Sequence, residues 1–196
     1  MIERRHALAD YDGPRSMPAD GALCLAERLV EGAWLSVAFA GDQAPPDGMS
    51  ALLGLARTDP AVGWAHSSAS ALVATTAPGR VLTLTQSSAE ASTLGAKLDV
   101  DRVIECRAQR AWLRFTGTDA RAFLDRQLGI DLHRDAFGPG RFALTRLGLI
   151  DIAVHADQND AFDLLVARSF TVALARQIAL RAQAEGRSIT IDPQAD

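Results

Sequence analysis

The sequence predicts an α+β fold in which helices pack on antiparallel or mixed sheet. Three observations predict it. Short runs alternate apolar and polar residues, the period of a half-buried strand. These runs are bounded by Gly, Pro and Asp clusters. Stretches of helical spacing fall among them, so that strands and helices recur as two rough ββαβ-like passes, residues 22–98 and 100–191. The two passes share little residue identity and are not a sequence repeat.

Residues 1–20 read as an extended, exposed arm, because Pro14 and Pro18 interrupt regular structure and Asp, Gly and Ser fill the gaps. Tyr11 and Met17 would be its apolar anchors on a partner. Residues 21–196 form a single α+β domain with sub-lobes at about 21–100 and 101–196. Within the first, residues 22–30 and 33–40 read as two strands of a hairpin joined at Glu31-Gly32. Residues 42–48 and 58–63 are loops, and residues 50–57 a short helix weakened by Gly54. Residues 71–75 and 81–85 make a second hairpin around Ala77-Pro78-Gly79. Ser87 or Ser88 caps a helix reaching Leu98. Residues 100–106 then lead through a tight turn at Ala108-Gln109 into the best-marked part of the chain, residues 111–169.

In residues 111–116, Trp112, Arg114 and Thr116 alternate with Ala111, Leu113 and Phe115. Gly117 breaks the strand, and Thr118 or Asp119 is placed to cap a helix. Ala120, Phe123, Leu124 and Leu128 form its apolar stripe, with Arg121, Asp125 and Arg126 opposite and Gly129 as its left-handed end. The turn Gly138-Pro139-Gly140 leads to a strand at 141–147. Strands at 149–155 and 162–167 follow, joined by Asp157-Gln158-Asn159-Asp160. Ser169 caps a last helix, residues 170–185, with Phe170, Leu174 and Ile178 four apart and Gly186 ending it.

Composition narrows the function. Hydrophobic residues are 48% and charged residues 22%, so a folded chain rather than disorder is the default expectation. The net charge of -4 argues against a nucleic-acid binder. Lys97 is the only lysine, so a lysine nucleophile has one possible position. Cys24 and Cys106 form no C-x-x-C and read as two buried thiols. No signal-peptide core follows the N-terminus and no run is long enough to span a bilayer, so a cytoplasmic protein without a membrane segment is expected.

Catalytic signatures are missing. G-x-S-x-G, H-E-x-x-H and G-x-x-x-x-G-K-[ST] do not occur. Gly138-Pro139-Gly140 is too short for a dinucleotide fingerprint and reads as a structural turn. His6, His66, His133 and His155 stand singly, without a second ligand at metal spacing. Asp131, His133 and Asp135 alternate as hydrated loop side chains. Asp151, inside the apolar run 149–154, must be hydrogen-bonded, at an edge, or functional, and the first two are favoured.

A family resemblance rests on five spaced elements. They are Ala111-Trp112-Leu113-Arg114-Phe115-Thr116-Gly117-x-Asp119-Ala120, Asp131-Leu132, Phe137-x-x-Gly140, Thr145-Arg146-Leu147, and Phe162-Asp163-Leu164-x-Val166-x-Arg168-Ser169-Phe170. In order and spacing they resemble the gamma subunit of heterotetrameric sarcosine oxidase over residues 100–180, while residues 21–100 fit in outline. The resemblance implies a fold like the N-terminal half of the folate-binding T-protein, an aminomethyltransferase. It implies alpha, beta and delta partner chains. FAD, covalent FMN, NAD and tetrahydrofolate belong to alpha and beta, and zinc to the small fourth chain. The complex oxidatively demethylates sarcosine to glycine, makes hydrogen peroxide and passes the one-carbon unit to tetrahydrofolate. The gamma chain carries no cofactor, so catalytic, cofactor-binding and metal residues are all expected to be none. Relatives of the T-protein carry an acidic pair near the strand that residues 149–154 resemble. Here Ile150 replaces the first acid and Asp151 remains. The alternatives are a stand-alone folate-binding or aminomethyltransferase-like protein, and a subunit of a related N-methyl amino acid dehydrogenase.

Overall fold

A computed structural model describes residues 6–13, 22–28, 32–37, 63–67, 71–77, 80–89, 92, 103–106 and 109–192. The expected helix at 50–57, the loop at 42–48, Lys97, Met17 and nearly all of the helix expected to reach Leu98 lie outside these residues. The architecture is α+β, as expected, with mostly antiparallel sheet and few helices. Two compact units divide the chain. One comprises Met1–Leu29, Ala111–Pro139 and Leu144–Asp196, the other Val30–Arg110 and Gly140–Ala143.

The first unit is built on a six-stranded sheet. Its strands are β1 (Leu23–Arg28), β7 (Arg110–Thr116), β8 (Phe142–Leu147), β9 (Ile150–Ala156), β10 (Phe162–Ala167) and β11 (Ile189–Asp192), in the order β11-β1-β7-β10-β9-β8. β1 runs parallel to β11 and antiparallel to β7, and β9 is antiparallel to β10. Two helices accompany the sheet, α1 (Ala120–Asp125) and α2 (Thr171–Ala184). Phe115 of β7 stacks on Phe123 of α1 at 5.7 Å between ring centroids. The predicted stripe Ala120, Phe123, Leu124 and Leu128 is buried, as are Leu174 and Ile178 of α2. Burying side chains of this kind is worth about 1.5–3 kcal/mol each and is what holds α1, only six residues long, in place.

The second unit carries the sheet β3-β4-β5-β2-β6, with β2 (Gly32–Val37), β3 (Ala65–Ser67), β4 (Ala71–Ala77), β5 (Arg80–Thr85) and β6 (Val103–Glu105). β4 and β5 pair antiparallel, as expected, with Ala71 opposite Thr85 and a bulge between Thr75 and Ala77. The turn into β7 is closed by the Gln109 N–H donating to the Cys106 carbonyl at 2.9 Å.

Several local expectations are corrected. β1 and β2 are not a hairpin: β1 pairs with β11 and β7, and β2 with β5 and β6, in different sheets. β1 is buried along most of its length, so it lies inside its sheet, where partners distant in sequence outweigh a nearby turn. Residues 6–13 are not an exposed arm. Residues 7–10 form a turn, Leu8 and Tyr11 are buried, and the Ala7 and Leu8 N–H groups donate to the Glu27 carboxylate at 2.9 and 2.8 Å. The capping side chains also differ. Neither Asp119 before α1 nor Ser169 before α2 makes a side-chain cap. The Asp119 carboxylate accepts from Arg187 at 2.6 Å instead, and Ser169 lies in a 3-10 turn, Arg168–Phe170. Gly129 does not take the left-handed conformation, whereas Gly186 does, with φ +68°. The Arg187 N–H then reaches back to the Ala182 carbonyl at 2.8 Å, closing α2 as a Schellman end.

Candidate functional site

Among the described residues, buried charge gathers on one face of the six-stranded sheet. Strand periodicity builds it. Arg28 on β1 stands opposite Trp112 on β7, and Ala26 opposite Arg114, so both arginines and the indole share a face. On β10, Asp163 stands opposite His155 of β9. Asp163 is fully buried and His155 is 1% exposed. Both carboxylate oxygens of Asp163 are occupied. Oδ1 accepts from Arg114 Nη1 at 3.0 Å and lies 3.5 Å from Arg28 Nη1, and Oδ2 lies 3.0 Å from His155 Nδ1. The second arm of Arg114 reaches Asp157 in the β9–β10 turn. The Arg28 guanidinium sits 4.2 Å from the centroid of Trp112, a cation–π contact.

The electrostatics follow from this packing. Burial pushes the Asp163 carboxyl up, but the His155 hydrogen bond and the Arg114 charge outweigh it, and its pKa is lowered. Burial likewise opposes Arg114, yet Asp163 and Asp157 raise it. Arg28 is lowered, first by burial, with Asp163 opposing. The arrangement cross-links β1, β7, β10 and β9. Both oxygens of its acid are engaged by side chains of neighbouring strands. Trp112 Nε1 is buried without a hydrogen-bond partner among the described residues.

A second polar hub is Arg121, which the sequence places on the outer side of α1. It is half-buried and donates to the carbonyls of Leu132 and Phe137, the latter at 2.9 Å, and to Asp160 Oδ1 at 2.7 Å. It also lies 5.0 Å over Phe162. Asp125 accepts the Leu132 N–H at 2.8 Å. Together they pin the loop after α1.

The residues singled out in sequence are dispersed. Asp151 has a side chain 79% exposed and pairs with Arg146 Nε at 2.6 Å. It therefore meets the surface condition, not that of a buried acid. Asp131, His133 and Asp135 are exposed in the loop, with the His133 N–H donating to Asp131 Oδ1 at 2.7 Å. Gly138-Pro139-Gly140 leads into β8 as a turn, Gly140 having φ +82°. Both cysteines are free, Cys106 buried and Cys24 half-buried, with burial raising the Cys24 thiol. Among the described residues no group of three His, Cys, Asp or Glu could hold a metal ion, and no helix is long and apolar enough to cross a membrane.

Asp163 was within reach of sequence reasoning. It is an acid inside the apolar run 161–166, the same signal that singles out Asp151. The signal does not say which acid is buried, because that depends on the neighbours of each strand.

No protein-family model matches the sequence, and no curated protein matches it. Solved structures do match. A chain of the heterotetrameric sarcosine oxidase from Corynebacterium sp. U-96, in complex with pyrrole 2-carboxylate, superposes with a TM-score of 0.76 at 20% identity, covering 94% of this chain and 97% of that one. The glycine cleavage system aminomethyltransferase T from Bartonella henselae superposes with a TM-score of 0.55 at 15% identity, covering 88% of this chain and 48% of that enzyme. The chain has the fold these two proteins share. The resemblance read from the five spaced elements therefore holds at the level of fold, and the chain spans about half the length of the aminomethyltransferase.

Proposed function

We propose that the chain is the gamma-type subunit of a heterotetrameric, sarcosine-oxidase-type flavoenzyme, and that it has no catalytic, cofactor or metal site of its own. The observation that supports this is the match to one oxidase chain along nearly the whole of both. In this reading the complex demethylates sarcosine oxidatively to glycine, releases hydrogen peroxide and passes the one-carbon unit to tetrahydrofolate. FAD, FMN, NAD, tetrahydrofolate and zinc reside in the alpha, beta and delta chains, and the complex works in the cytoplasm. The buried ions of Asp163, Arg114 and Arg28 serve the fold. Asp151, the one acid left at the strand where T-protein relatives have two, is spent on a surface ion pair.

Co-expression with the cognate alpha, beta and delta chains tests the reading. The chain should copurify with them one to one, and alone it should be colourless and inactive. Failure to copurify overturns the proposal. The aminomethyltransferase fold favours a second reading, a stand-alone folate protein. Saturable binding of tetrahydrofolate to the isolated chain at micromolar concentration would establish that alternative.

A further inference from the structure

On β1, Leu23, Leu25 and Glu27 share one side of the strand. Leu25 stands opposite Phe115 and Glu27 opposite Leu113 on β7, and Phe115 stacks on Phe123, so this is the side that carries α1. Leu23, Leu25, Leu113 and Phe115 are each 2% exposed or less. Glu27 ends this apolar row and is itself only 4% exposed. A carboxylate in such a place costs free energy unless it is hydrogen-bonded. Among the described residues, its bonds come from the backbone of the N-terminal turn: the Ala7 N–H donates to Oε1 at 2.9 Å and the Leu8 N–H to Oε2 at 2.8 Å. His6 Nδ1 stands 3.9 Å from Oε2, beyond bonding distance.

The turn that reaches Glu27 is folded on itself. The Ala9 N–H donates to the His6 carbonyl at 3.2 Å and the Tyr11 N–H to the Leu8 carbonyl at 2.9 Å. The Tyr11 ring lies back over Gly13, where a Cβ would run into it. Leu8 is fully buried and Tyr11 3% exposed, two apolar anchors three residues apart. Asp12 adds an exposed ion pair with Arg176 of α2. Residues 6–12 belong to no strand of either sheet. They are held as a bound peptide is held, by two anchors and by backbone bonds to one receptor group. Had this segment been a permanent part of the core, an apolar residue at position 27 would hold it better, because desolvating a carboxylate opposes burial. A carboxylate suits a site that is also visited by water.

We propose that residues 6–12 are a strap that opens and closes over the end of β1 while the rest of the unit stays folded, with Glu27 as its latch. Closed, the strap fills its groove as the groove's own ligand, and the Ala7 and Leu8 N–H groups take the place of water on the carboxylate. Open, Glu27 is hydrated, and the positions of Leu8 and Tyr11 become an apolar groove with an acceptor for backbone N–H groups at its end. Water competes for the carboxylate, so the net strength of the hold lies in Leu8 and Tyr11, and Glu27 fixes which two N–H groups the groove receives.

Hydrogen exchange of the full chain, read by mass spectrometry, tests this. In wild type the amides of residues 7–11 should be protected relative to an unstructured peptide, yet exchange about tenfold or more faster than those of β1 and α2, because they open without global unfolding. Glu27→Gln leaves one acceptor oxygen and turns an amide NH2 toward the strap. It should speed exchange at residues 7–11 by a further tenfold or so and leave β1 and α2 as they were. Leu8→Ser should give the same confined acceleration, and it decides the matter where Glu27→Gln fails to fold. If residues 7–11 of wild type exchange no faster than β1 and α2, the segment is an integral part of the unit and the proposal falls. It falls equally if they exchange as an unstructured peptide does, since the strap then never closes. Acceleration of β1 and α2 by the same factor as residues 7–11 in the variants would make Glu27 a support of the whole unit and overturn its role as a latch.

Discussion

At the scale of single residues, burial decides what an aspartate does. Asp163 and Asp151 both interrupt apolar strands, yet one is fully buried among Arg114, Arg28 and His155 and the other faces water beside Arg146. Removing one partner of a buried ion network strands the others, at a cost of about 3–5 kcal/mol. Asp163→Ala should lower stability by that amount in chemical denaturation, whereas Asp151→Asn should stay within about ±0.5 kcal/mol, as exposed pairs do. In the complex proposed above, Asp151→Asn should also leave methylene-tetrahydrofolate formation within about twofold, since only a true general acid or base costs on the order of 10²–10⁴. The pH dependence follows from the lowered Asp163 carboxyl. A carboxyl whose folded pKa lies below its unfolded value, about 3.9, contributes stability above that value and loses it as pH falls through the folded pKa. Wild type should therefore lose stability steeply below about pH 4, and Asp163→Asn should show a shallower acid limb. An unchanged acid limb would remove Asp163 from the account.

At the scale of elements, α1 and the loop behind it depend on opposite sides of one short helix. Phe123 fills the core against Phe115, and Phe123→Ala should cost about 3–5 kcal/mol. Arg121 holds the loop by its bonds to Leu132, Phe137 and Asp160. Arg121→Ala should cost about 1.5–3 kcal/mol, the range for hydrogen bonds to charged groups. It should also open residues 126–141 to limited proteolysis, which Phe123→Leu should not do. Asp125 appears in sequence as an outward helix residue, but its bond to the Leu132 N–H makes it part of the same clamp. Periodicity placed the apolar side of α1 correctly because burial follows the stripe. It could not show that the polar side serves a loop, because the partners lie 7 to 39 residues away along the chain.

At the scale of the whole molecule, the units are woven from separated segments: residues 1–29 belong with 111–139 and 144–196. An isolated chain with Leu149, Leu180 and Phe170 exposed should self-associate, as apolar surface meant for a partner does in water. Light scattering of the purified chain should show concentration-dependent growth in mass that the copurified complex does not show. A monodisperse monomer at high concentration would count against an obligate-subunit role.

The sequence by itself determined the α+β class, the strands β7 to β10, the helices α1 and α2, the apolar stripe of α1 and the left-handed end of α2 at Gly186. It also carried the spaced elements whose resemblance the fold bears out. These are local properties, set by side-chain periodicity and by the conformational freedom of glycine. Only the tertiary structure decided that β1 leaves its sequence neighbour β2 for β7 and β11, that Leu8 and Tyr11 are buried, and that Asp163 rather than Asp151 is the buried acid. A strand carries the same alternation whichever strands flank it. Its partners, and with them the burial of each charge, come from contacts between residues far apart in the chain.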